Sequence, residues 1–135
     1  MRKTALALVL LAAPASAQNF TTGAEIQPII EMTKGNWVAV REWEGQDLLY
    51  FTHLEAWRCG MDQVRYFVNV AKPRVREMEP CYEDTNTPNA IKMPDGHLPY
   101  DVHPLGSIEN VTVEITLDNG VVIKESFERN AIKMP

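Results

Sequence analysis

Apolar residues recur with a helical period near the start of the chain and with a period of two over much of the rest. The clearest alternation is at the C-terminal end. Val111, Val113, Ile115 and Leu117 alternate with Asn110, Thr112, Glu114 and Thr116; Asp118-Asn119-Gly120 then leads into Val121, Ile123 and Phe127. A two-residue Asn-Gly turn would set that apolar face against Lys124, Ser126 and Glu128. A three-residue loop with Gly120 in a left-handed conformation instead pairs Leu117 with Val121, Ile115 with Ile123 and Val111 with Phe127, and is the register expected.

A second hairpin is expected within residues 59–81. Val64, Tyr66, Val68 and Val70 share one face of its first strand, and the return over 74–80 carries Arg74, Arg76, Glu77, Glu79 and Pro80. Charges with a proline are typical of an edge strand. Further upstream, alternation from Trp37, a turn at Gly45-Gln46-Asp47 and a strand over 48–58 predict another antiparallel pair. In 48–58, Leu48, Tyr50, Thr52, Leu54 and Ala56 share one face and Leu49, Phe51, His53, Glu55 and Trp57 the other. Bulky groups on both faces suit a central strand covered on both sides. Before these lies one amphipathic helix, roughly 24–34. Thr22 and Glu25 have capping-box spacing, Ile26, Ile29, Ile30 and Thr33 share a face, and Gly35 suits the position after the helix. Pro28 offers an alternative start, with Gln27 as cap.

These elements predict a mainly β fold, a small antiparallel β-sandwich or open barrel of about seven strands with one short N-terminal helix. An α+β fold with the helix on a single sheet is the alternative. The hexapeptide Asn-Ala-Ile-Lys-Met-Pro occurs at 89–94 and again at 130–135, and 61–70 aligns without gaps on 108–117. An internal hairpin repeat, 61–94 and 108–135, follows as an expectation.

The first 17 residues change the picture of where this domain sits. Arg2 and Lys3 precede an apolar run and then Pro14-Ala15-Ser16-Ala17, the layout of a secretory signal peptide. Cleavage after Ala17 would leave residues 18–135 as a single β-rich domain with no membrane anchor. Removing Arg2 and Lys3 from the 13 Lys and Arg residues leaves 11 against 18 Asp and Glu, a formal charge of −7. Such a surface repels nucleic acid. Two cysteines behind a signal peptide predict an oxidising compartment and one bridge, Cys59 to Cys81. The expected location is the periplasm or outside the cell.

Candidate chemistry concentrates in the proline-rich stretch 83–104. Asp95-Gly96-His97 and Asp101-Val102-His103 are two Asp-x-His units, and imidazole with carboxylate can ligate zinc or copper. His97, His103, Asp95 and Asp101, with His53 as a further donor, are the candidate metal ligands; solvated loop residues, and a packed histidine at His53, are the competing reading. Ser107 follows Asp101 and His103 and is the candidate nucleophile of a small hydrolase. Trp37, Trp43, Trp57, Tyr50, Tyr82 and Tyr100 can form an aromatic ligand face or fill the core.

Residues 35–42, 46–50, 57–60 and 80–82 resemble those of short secreted proteins of unknown function from marine alphaproteobacteria. The resemblance implies a periplasmic location and supplies no activity, cofactor or catalytic residue. The function expected is a non-enzymatic periplasmic binding or accessory protein. Its protein or small-molecule partner would meet the 83–104 loop and the neighbouring aromatics. The alternatives are a metal-binding protein or metal-dependent enzyme, and a small hydrolase.

Overall fold

The computed structural model describes residues 19–135; the expected signal peptide lies outside the described residues. The fold is mainly β, with two open antiparallel sheets and a short N-terminal helix. One sheet has the order β1-β2-β5, from Ala39–Trp43, Gln46–Tyr50 and Tyr100–Pro104. The other has the order β4-β3-β6-β7, from Arg74–Val75, Met61–Val68, Asn110–Leu117 and Val122–Glu128. No helix among the described residues is long and apolar enough to cross a membrane.

The C-terminal hairpin has the expected register. Val111 pairs with Phe127 and Ile115 with Ile123, the Leu117 amide donates to the Val121 carbonyl at 2.8 Å, and Gly120 has φ +83°. Every apolar residue of the β6 alternation is buried and each polar one between is half-buried. Helix α1 (Gly23–Met32) also starts where the capping box places it. The Thr22 hydroxyl accepts from the Glu25 amide and donates to the Glu25 carboxylate. Pro28 is accommodated inside the helix, and Ile26 and Ile30 enter the core.

Four expectations are corrected. The strand predicted over 48–58 ends at Tyr50; a one-turn helix α2 (Thr52–Glu55) and a 3-10 turn (Arg58–Gly60) follow it. Phe51, Leu54, Glu55 and Arg58 are the buried residues here, spaced i, i+3, i+4 and i+7, so the local period is helical. The β1–β2 turn is Glu44-Gly45, both with positive φ, and not Gly45-Gln46-Asp47. The return strand of the 59–81 hairpin contracts to Arg74–Val75; the Arg76 amide still donates to the Val64 carbonyl on β3 at 2.8 Å, while the Arg76 and Glu79 side chains turn inward to polar partners. β3 finds its main partner in β6, from Met61 opposite Leu117 to Val68 opposite Val111. The stretch 83–104, expected as one loop, ends in β5, which pairs with β2.

The two copies of the hexapeptide differ in conformation: 89–94 has no regular structure, whereas 130–132 belong to a terminal helical turn, α3 (Arg129–Ile132). Ile132 is buried and its counterpart Ile91 is exposed.

One core lies between the sheets. It contains Ile26 and Ile30 from α1, Trp37, Leu49, Phe51 and Leu54 from the first half, and Val64, Tyr66, Val113, Ile115, Leu117, Phe127 and Ile132 from the second. At one end, α1, the 3-10 turn and the β6–β7 turn converge. Asp118 accepts from the first helical amide, Gly23, at 2.7 Å and donates its own amide to Gly60. The approach requires glycine at position 60, where a Cβ would stand 2.7 Å from the Thr22 carbonyl oxygen.

Candidate functional site

Beside the core the chain buries charge. Helix α2 carries Glu55 inward until its side chain is fully enclosed, and the segment after β4 brings in Arg76 and Glu79. Arg76 Nη1 meets Asp101 Oδ1 at 2.6 Å, its Nη2 meets Glu55 Oε1 at 3.3 Å, and it also donates to the Leu98 carbonyl. His97 reaches the same Glu55 oxygen through Nε2 at 2.5 Å. It is placed there by the Asp95-Gly96 turn, closed by the His97 amide on the Pro94 carbonyl, with Gly96 at φ +82°. Glu79 accepts from the Tyr82 hydroxyl and from the amides of Lys92 (2.8 Å) and Met93 (3.4 Å). Burial alone would raise the Glu79 pKa, but these donors, with Arg58 nearby, lower it below the usual carboxylate value.

Arg58 is the strut beneath this cluster. Its guanidinium donates to the carbonyls of Glu55, Pro80, Asn89 and Ala90, and the neighbouring Cys59 amide donates to the Asn89 side chain. Cys59 and Cys81 are disulfide-bonded, as expected. Strut and bridge together hold the irregular segment 80–93 against the 3-10 turn.

The residues anticipated as metal ligands separate into four places. Asp95 is exposed in its turn. His97 joins Glu55 and Glu79; one donor atom from each of the three lies within 4.8 Å of the others. Asp101 and His103, on one face of β5, meet at Tyr66, whose hydroxyl donates to Asp101 Oδ2 at 2.6 Å and lies 3.3 Å from His103 Nε2. Burial, and then the Asp101 carboxylate, raise the Tyr66 pKa, so the phenol stays protonated. Burial, and then Arg74, lower that of His103. His53 stands apart against α1. Because the Thr33 hydroxyl donates to the Ile29 carbonyl, it accepts from His53 Nε2, and burial lowers the His53 pKa.

Among the described residues no hydrogen bond joins the Ser107 hydroxyl to an imidazole; only the Ser107 main chain is engaged, with Pro104 and Asn69. The aromatics divide similarly. Trp37 is buried in the core, Trp43 lies under the Arg41 guanidinium, and Tyr50 packs on Tyr100.

Glu55, Glu79, Arg76 and Arg58 were not singled out by the sequence, because a charged residue ordinarily reads as solvated. The helical spacing from Phe51 to Arg58 is the one signal that could have pointed to Glu55 and Arg58.

Two openings adjoin the cluster. A pocket of about 340 Å³ lies over Arg76, His97, Leu98 and Asp101. A groove of about 630 Å³ runs past the disulfide, with Asp62, Glu77, Glu79, Glu83 and Asp118 on its walls. The arrangement can orient a largely buried imidazole with a buried carboxylate, and it can offer a small set of nitrogen and oxygen donors to a cation. No protein-family model, curated protein or solved structure gives a significant match to this chain.

Proposed function

We propose that this protein is a non-enzymatic binding or accessory protein of the periplasm or extracellular space, and that it meets its partner with the 83–104 segment. The observation that carries the reading is a set of apolar side chains on a braced backbone. Ile91, Met93 and Leu98 are 38, 45 and 51% exposed. The main chain around them is held from below by Arg58, Glu79 and Arg76, which bond Asn89, Ala90, Lys92, Met93 and Leu98. Apolar groups displayed on a pre-ordered segment lose little conformational entropy on association. A disulfide fits an oxidising compartment.

The hydrolase reading would need a base at Ser107, and Asp101 and His103 are engaged with Tyr66 instead.

Site-specific photo-crosslinking in the native host tests the proposal. A photoreactive residue at Leu98 is expected to give a defined adduct that the same residue at Val122, exposed on β7, does not give. Equal labelling from both positions, or an adduct from Val122 alone, would overturn it.

A further inference from the structure

Glu55, Glu79 and His97 come from three separate segments and converge within 4.8 Å. Arg76 is the cation on Glu55 and is shared with Asp101 and the Leu98 carbonyl. Arg58 is also shared among carbonyl oxygens. A second observation concerns Glu55 itself. Its side chain is fully enclosed, and its Oε2 has no hydrogen-bond partner. Leaving a buried carboxylate oxygen unpartnered is costly, and native structures rarely do so without a ligand or a water. Glu79 has capacity too, since its Oε2 receives only the 3.4 Å bond from Met93.

We propose that Glu55, Glu79 and His97 form a binding site for a divalent transition-metal ion, with zinc as its probe. One imidazole and two carboxylates are a donor set such ions accept, and three protein ligands leave one position open. The bond between His97 Nε2 and Glu55 is then replaced by coordination of both groups to the ion. The supporting contacts are of the kind that orient metal ligands: Tyr82, Lys92 and Met93 hold Glu79, and Arg76 holds Glu55. Arg76 is a like charge beside the ion and lowers its affinity. It stays anchored on Asp101 and Leu98 when Glu55 turns to the ion. This site goes beyond the partner surface proposed above, and either can fail without the other.

The test uses protein purified without a metal-affinity tag, stripped with a chelator and titrated with zinc by calorimetry. One zinc per chain is expected, with affinity reduced about tenfold or more in His97→Gln and unchanged in Asp95→Ala, whose carboxylate is exposed nearby. On the unmutated chain, zinc should shift the NMR resonances of the His97 ring with the same one-to-one saturation and leave those of His53 and His103 in place. This second measurement does not depend on how a variant folds. Absence of saturable binding, full binding in His97→Gln, or shifts confined to His53 or His103 would overturn the site.

Discussion

Asp47 shows how single residues hold this protein. Its side chain is fully enclosed, and both oxygens are used. Arg129 approaches Oδ2 at 2.6 Å and Oδ1 at 3.1 Å, while the amides of Gly106 and Ile108 donate at 3.0 and 3.3 Å. The Arg129 hydrogen bond outweighs desolvation and, with those amides, holds the carboxyl pKa at about 2, below its ordinary 3.8. Because the folded value is the lower one, the unfolded chain takes up the proton first. The stabilisation is therefore complete above about pH 4 and is lost as pH falls toward 2. Asp47→Asn is expected to cost about 3 kcal/mol at neutral pH, since Arg129 loses its buried partner. Urea unfolding at pH 7 and pH 3 checks both parts: the loss should appear at pH 7, and the variant should fall less than the parent between the two. Nothing in the alternation around Gln46-Asp47-Leu48 distinguishes this aspartate from an exposed one, because its partner lies 82 residues away.

Among the elements, β6 and β7 were legible because their pattern answers to one local condition, a buried face opposite a solvated one. Helix α1 was legible through its cap. The segment after Tyr50 was not, since it buries Glu55 and Arg58 beside Phe51 and Leu54 and so hides a helical period behind charges. The candidate site fell in the same gap. His97 was visible as a potential donor, but its partners arrive from α2 and from the segment after β4, brought there by bonds no spacing rule describes. The disulfide now has a different task from closing a hairpin. It ties the 3-10 turn to the chain beyond β4, across 22 positions, next to the carbonyls that Arg58 gathers. Closing a loop of that length contributes about 3 kcal/mol by restricting the unfolded chain. The double variant Cys59→Ala, Cys81→Ala is expected to melt roughly 12 °C lower. Its amides at Lys92 and Met93 should exchange faster than those of β6, as the segment they belong to loses its covalent fastening. An unchanged melting temperature would mean that the hydrogen bonds of Arg58 and Glu79 suffice.

For the whole molecule, the question is whether two open sheets behave as one folding unit. Each alone is small and has unpaired edges, and the three-stranded sheet contributes few of the core's large side chains. Three connections join them. The core is continuous: Leu49 and Phe51 belong to the same cluster as Tyr66, Ile115 and Phe127. Polar bonds cross as well, from Tyr66 on β3 to Asp101 on β5 and from Arg129 after β7 to Asp47 on β2. Finally, the chain end returns to β1, where the Met134 amide donates to the Val40 carbonyl and Lys133 bridges Val40 in parallel. Opening either sheet separately would expose the shared apolar face and strand buried charges at once, so partial unfolding is disfavoured and one transition is expected. Trp37 is suited to report on it, being fully buried, edge-on to Phe127 and hydrogen-bonded to the Ile30 carbonyl at 2.8 Å. Tryptophan fluorescence, with Trp43→Phe and Trp57→Phe removing the other two indoles, should trace the same urea curve as far-UV circular dichroism. Ile115→Ala should move both curves together by about 3 kcal/mol, the cost of a cavity in the common core. Separate midpoints for the two probes would show that the sheets unfold independently and that the cross-sheet bonds do not couple them.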